Sequence, residues 1–293
     1  MVMVVRAMDK KNHVPVRLAQ RPRTCQISPM RATLAVLSAC LAGALTIACS
    51  GTQPPAAPAG PLRVSAAASL TDVLTTADAA WEKTGGMHVE PNFAASNVLA
   101  RQIVEGAPVD VFISADNAQM ERVAQAGAVD ANDRLPLLSN QLVVVVPTGR
   151  ALTGPAPGSL ADPSVKRLAL GDPQGVPAGV YAQAWLERAG LWKQVAPKVV
   201  PAASVRAALA AVESGNADAG VVYRTDARGR AGVQIALEVP LSDAPPIVYP
   251  AAALKRSARL ESARRYLQFL RSEQGRRIFT DAAFLLPEAA PAK

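Results

Sequence analysis

The sequence predicts an α/β fold built on mainly parallel sheets, and three observations carry that prediction. From residue 62 onward, short apolar or β-branched runs alternate with stretches of helical periodicity. Several of the helical stretches stop at a glycine, as at Gly106, Gly127 and Gly190. The chain of 293 residues is 50% hydrophobic but only 4% aromatic, so its core must be packed from Ala, Val and Leu. That length suffices for one or two domains with cores of their own.

In chain order, 62–68 is a strand running into a turn, and 69–83 has apolar residues at helical spacing. Residues 87–93 are a second strand, 98–106 a helix, 109–115 a buried strand and 116–127 a helix. Q-L-V-V-V-V-P (141–147) is the clearest strand, because β-branched side chains suit a pleated, buried surface. A strand at 167–173 leads through a Gly/Pro turn into a helix over 178–190. A helix over 203–215 and a short strand at 219–223 follow. The chain ends on a strand at 246–254 and helices at 257–272 and 273–281, whose arginines make a solvated face. No fixed-period repeat is present.

The net charge of +8 misleads. Residues 1–48 hold seven basic side chains against Asp9 alone, so +6 of that charge lies in the leader. The body is nearly neutral, and nucleic-acid binding loses its main support. The leader has the form of an export signal, with Arg31 before an apolar run that ends in small residues and Cys49. T-I-A-C at 46–49 resembles a bacterial lipobox; L-S-A-C at Cys40 is its rival, and an uncleaved anchor is the plainer alternative. Cys49 is preferred, because it gives the longer apolar core and precedes a Pro/Ala/Gly linker at 50–61. The long stretch before Met30 suggests that translation starts there. All three cysteines (25, 40 and 49) fall in the leader, so disulfides contribute nothing to the body. The body has one histidine, His88, in a hydrophilic stretch that places it on the surface.

The residues that point to chemistry sit at strand-to-helix junctions. Ser69 lies in A-A-A-S-L-T-D and Ser96 in F-A-A-S-N-V-L-A. A helix N-terminus presents unpaired N–H groups and a partial positive charge, and a hydroxyl adds a donor, so such a junction can hold an anion. One such serine is usually only an N-cap. The theme recurs, however. G-D-P-Q-G-V-P-A-G-V-Y brings a loop to a helix start at Ala178, and P-A-A-S-V-R-A-A-L starts another near Ser204 and Val205. V-V-Y-R-T-D-A ends a strand at Tyr223, whose phenol can donate. The loop before Ala178 is neither a P-loop nor a G-x-G-x-x-G fingerprint.

A-A-A-S-L-T (66–71), residues 93–116, residues 168–182, V-R-A-A-L-A-A-V-E (205–213) and V-V-Y-R-T-D-A (221–227) stand in the order seen in one family. Over about 62–286 the chain closely resembles the molybdate-binding substrate-binding proteins of bacterial ABC importers. The resemblance implies a two-lobed periplasmic-binding-protein-like fold of type II, with a ligand cleft between lobes at 62–140 plus 247–293 and 141–246. The strands at 141–147 and 246–254 would form the hinge crossovers. It also implies that Ser69, Ser96, Ala178, Val205 and Tyr223 hold the oxyanion. The serines would give hydroxyl and backbone donors, Ala178 and Val205 backbone N–H groups, and Tyr223 its phenol. The implied ligand is molybdate or tungstate, with no cofactor and no metal beyond the molybdenum of the oxyanion. The implied partners are a permease and an ATPase, with the chain a monomer tethered by lipid in the periplasm or on the outer face of the cytoplasmic membrane. Ala95, Asn97 and Arg224 depart from the family's commonest residues, and Arg224 could face either cleft or solvent. Rival readings are a receptor for sulfate, phosphate or an organic anion, the sensing domain of a regulator, and an enzyme. An enzyme would need His88 or Lys83 as base beside Ser69 or Ser96.

Overall fold

The computed structural model describes residues 60–154 and 157–287. The leader, Cys40, Cys49 and most of the linker lie outside the described residues. Among the described residues, ten strands form two five-stranded sheets. The first contains β1 (Leu62–Ala67), β2 (Val89–Ala94), β3 (Val111–Ile113), β4 (Arg134–Ser139) and β10 (Val248–Ala253), in the order β2-β1-β3-β10-β4. The second contains β5 (Leu142–Pro147), β6 (Leu168–Gly171), β7 (Val199–Ala202), β8 (Ala219–Tyr223) and β9 (Val233–Glu238), in the order β7-β6-β8-β5-β9.

The two sheets share one plan. In the first, β1 pairs in parallel with β2 and β3, and β10 runs antiparallel between β3 and β4. In the second, β6 pairs in parallel with β7 and β8, and β5 runs antiparallel between β8 and β9. The reversed strand of each sheet is the one that enters from the other: β5 follows β4, and β10 follows β9. Each sheet is thus parallel apart from its inserted strand, which is the two-lobed α/β class expected.

Helices flank both sheets: α1 (Thr71–Lys83), α2 (Ser96–Val104), α3 (Asn117–Gln125), α4 (Pro177–Arg188), α5 (Trp192–Val195), α6 (Val205–Glu213), α7 (Arg224–Ala227), α8 (Leu260–Arg271) and α9 (Glu273–Asp281). Their ends follow local chemistry. At the end of α2 the amide of Gly106 donates to Ile103 O and that of Ala107 to Gln102 O, with Gly106 at φ +97°. That paired arrangement requires a left-handed residue, which glycine adopts without strain. The stop at Gly190 repeats it. β5 is buried along Leu142–Val146, and Leu168–Leu170 and Ala219–Val222 are buried beside it. Among the described residues, no helix is long and apolar enough to cross a membrane.

Three strands were not expected from the sequence: β4, β7 and β9. Pro136 interrupts β4 and Pro201 interrupts β7, which makes both read as loop. Both are edge strands, where a missing N–H costs no ladder bond. Ser69 also differs from expectation. It lies within a 3-10 turn, Ala68–Leu70, and α1 begins two residues later.

Candidate functional site

The five residues singled out above come from both sheets and line one enclosed cavity. Ser69 comes from the turn after β1, and Ser96 is the first residue of α2. Ala178 is the second residue of α4, Val205 the first of α6, and Tyr223 the last of β8. The space between them is small, about 10 Å³, close to what one water molecule needs. None of the five is more than 4% exposed, so the cleft is shut around it. A wider groove between α1 and α9, lined by Thr75, Lys83 and Arg277, is an open surface recess of mixed charge.

Short-range geometry explains why apolar residues can serve here. The first amides of a helix have no acceptor inside it. Ser204 caps α6 by accepting from the amide of Ala207 at 3.1 Å, which leaves the Val205 amide to the cavity. In α4, Pro177 has no N–H and suits the first helical turn, while Gly179 and Val180 donate to Val176 O. The Ala178 amide is what remains. Gly179 makes this approach possible, because a Cβ there would lie 1.9 Å from Gly171 O.

The side-chain donors are equally directed. Ser96 Oγ accepts from the Ala115 amide at 2.9 Å, so its own hydrogen is free for the cavity. Ser69 Oγ lies 3.0 Å from the Tyr249 hydroxyl. Tyr223 Oη is buried and has no hydrogen-bond partner. Such a group costs about 1–3 kcal/mol when left unmade, so it points to a ligand. Burial first, then the neighbouring phenols of Tyr249 and Tyr181 and the carboxylates of Asp116 and Asp226, push the Tyr223 phenol well above its ordinary range. It is therefore protonated and a donor. No lining residue has a charged side chain. The nearby carboxylate of Asp116 instead caps α3, accepting from the Gln119 amide at 2.8 Å.

Contacts across the cleft hold it shut. Arg206, next to Val205, pairs with Asp72 of α1 at 2.8 Å and with buried Asp226 at 2.6 Å. Asn97 of α2 packs against Gly175, where an added Cβ would meet its amide nitrogen at 2.9 Å. Arg224 turns away, toward Glu238 of β9 at 3.6 Å. His88 is exposed and bonded to Glu82 at 2.7 Å, and Lys83 lies in the outer groove, so neither can serve Ser69 or Ser96 as base. Among the described residues there is no cluster of three potential metal ligands. Reasoning from sequence missed Tyr249, Asn140 and Arg206, and read Asn97 only as a departure from the family's commonest residue, because their roles depend on contacts between distant segments.

Comparison with known proteins identifies the family. Residues 62–285 match the bacterial extracellular solute-binding protein family. The chain belongs to that family. This solute-binding protein is 36% identical over 231 residues to the molybdate-binding protein ModA of Escherichia coli, covering 78% of this chain and 90% of that one. It is 34% identical to the putative ABC transporter substrate-binding lipoprotein YvgL of Bacillus subtilis, covering 76% and 85%. Among solved structures, the periplasmic molybdate-binding protein of Azotobacter vinelandii superposes with a TM-score of 0.71 at 26% identity, covering 78% of this chain and all of the other. The resemblance drawn from the five motifs is thereby borne out. The family is one of binding proteins, not of enzymes.

Proposed function

We propose that this solute-binding protein captures molybdate, and tungstate with it, outside the cytoplasm and delivers it to the permease of an ABC importer driven by an ATPase. The observation that supports this most strongly is the convergence of Ser69, Ser96, Ala178, Val205 and Tyr223 on one shut cavity without charged side chains. A dianion there would be held by hydroxyls and helix-terminal amides rather than by a salt bridge. A hydrogen bond to a charged group contributes about 1.5–3 kcal/mol. Five to seven of them, less the costs of association, reach the roughly −8 to −12 kcal/mol of micromolar to nanomolar binding.

The same donors discriminate. A ligand that keeps a proton, such as hydrogen phosphate, needs an acceptor, and no lining side chain is a carboxylate. Molybdate, tungstate and sulfate are fully deprotonated at neutral pH, so the missing acceptor does not separate the first two from the third, and titration with sulfate tests that distinction. The oxyanion is the cargo, and no cofactor takes part. Segments 62–140 plus 247–293 and 141–246 act as two lobes that part and close about the crossovers. The protein works as a monomer, tethered through lipid on Cys49 to the membrane, in the periplasm or on the outer face of the cytoplasmic membrane.

Isothermal titration of the purified protein against molybdate, tungstate, sulfate and phosphate tests this. Tight one-to-one binding of the first two, with the others much weaker, is the expected result. Tighter binding of sulfate or phosphate would replace the named cargo. Substituting Ser69 and Ser96 together by Ala should weaken molybdate binding at least tenfold, and an unchanged affinity would remove the site assignment.

A further inference from the structure

We propose that Tyr249 and Asn140, neither of which lines the cavity, act as positioning residues that make Ser69 an obligatory donor toward the bound oxyanion. This rests on the oxyanion reading above. Asn140 lies in the crossover between β4 and β5. Its Oδ1 accepts from the amide of Gln141 at 2.9 Å, and a backbone amide can only donate. That contact fixes the orientation of the side-chain amide. The Nδ2 end then donates to Thr225 Oγ1 at 2.9 Å and to Tyr249 Oη at 3.2 Å.

The rest follows by elimination. Tyr249 is fully buried, and its oxygen is an acceptor for Asn140. Its hydrogen needs an acceptor, and Ser69 Oγ at 3.0 Å supplies one. The reverse polarity, with Ser69 donating to Tyr249, would orphan the Tyr249 hydrogen, because Asn140 Nδ2 cannot accept. Burial also holds the Tyr249 phenol above its ordinary range, so the hydrogen stays on it. Ser69 Oγ is then an acceptor inside the protein, and its own hydrogen is left for the cavity.

Ser96 reaches the same polarity through the Ala115 amide. One serine is therefore set by the main chain and the other by a side-chain relay that starts in the crossover. The relay makes a testable distinction. Without the Tyr249 hydroxyl, Ser69 can accept as well as donate, so the site loses preference for fully deprotonated oxyanions.

The test is a double-mutant cycle of Y249F and S69A, read by titration with molybdate and with phosphate near neutral pH. Ligand-free melting serves as the check on folding. Y249F should weaken molybdate binding roughly five- to tenfold when Ser69 is present and less than twofold in the S69A background. It should also narrow the preference for molybdate over phosphate. If Y249F lowers stability, Asn140→Ala is run in the same cycle with the same expectation. Equal losses with and without Ser69 would overturn the relay while leaving the receptor reading intact. A wild-type protein that binds no oxyanion would overturn both.

Discussion

Replacing Tyr223 by Phe isolates one proposed ligand bond. The ring stays, and with it the tilted contact to Tyr249 at a centroid distance of 5.8 Å. Only the hydroxyl goes, and that hydroxyl has no hydrogen-bond partner within the protein. No internal hydrogen bond is lost, so ligand-free stability should not fall. Binding should respond differently. A lost hydrogen bond to a charged ligand is worth about 1.5–3 kcal/mol, or roughly 10- to 150-fold in Kd. Titration with molybdate measures that factor, and a denaturant melt without ligand measures stability. The signature is a large loss in the first with none in the second. A variant that binds molybdate within about twofold of the wild type would refute the assignment of Tyr223 as a donor, since a lost charge-assisted bond cannot cost so little.

Four further outcomes are expected. Asp72→Asn removes the partner of Arg206 across the cleft and leaves the Arg206–Asp226 pair alone. Asp72 is 71% exposed, so the loss is about 0.2–1 kcal/mol, seen as faster molybdate release in stopped-flow and shrinking in high salt. Gly179→Ala places a Cβ against Gly171 O, and a loss of about 1–3 kcal/mol is expected in chemical denaturation, with weaker oxyanion binding as the Ala178 amide shifts. Burial raises the Asp78 carboxyl from 3.8 to about 6, despite the hydroxyl of Tyr266 donating to it. Because the folded value lies above the unfolded one, the associated stability is complete below 3.8 and lost as pH rises through about 6. Asp78→Asn removes that dependence, and the difference in unfolding free energy should move by about 3 kcal/mol in its favour between acid and neutral pH. Cys49→Ala should release the protein from the membrane fraction, whereas Cys40→Ala should not.

What could be read from the sequence divides along physical lines. Strands at the centres of the sheets, such as β5 and β8, are continuous apolar runs and were legible. The three unexpected strands are all edges, where proline is tolerated and one side meets solvent. The edge strand β9 carries Val233, Ile235 and Leu237 at alternate positions, a signal that was available but weak beside its polar neighbours. The candidate site was legible because its donors sit where local motifs start helices. Ser96, Ala178 and Val205 needed no tertiary knowledge to be placed there. Asn140 and Tyr249 did, because they are 109 residues apart and meet only when the crossover is built. Arg206 is similar: its partners are 134 residues away in α1 and 20 away in α7.

Anomalous diffraction at the molybdenum edge from crystals grown with molybdate tests the central claim most directly. The account predicts one strong peak in the cavity, with oxygens in hydrogen-bond contact with Ser69, Ser96, Ala178, Val205 and Tyr223. A peak elsewhere on a protein whose cavity stays free of molybdenum would contradict it.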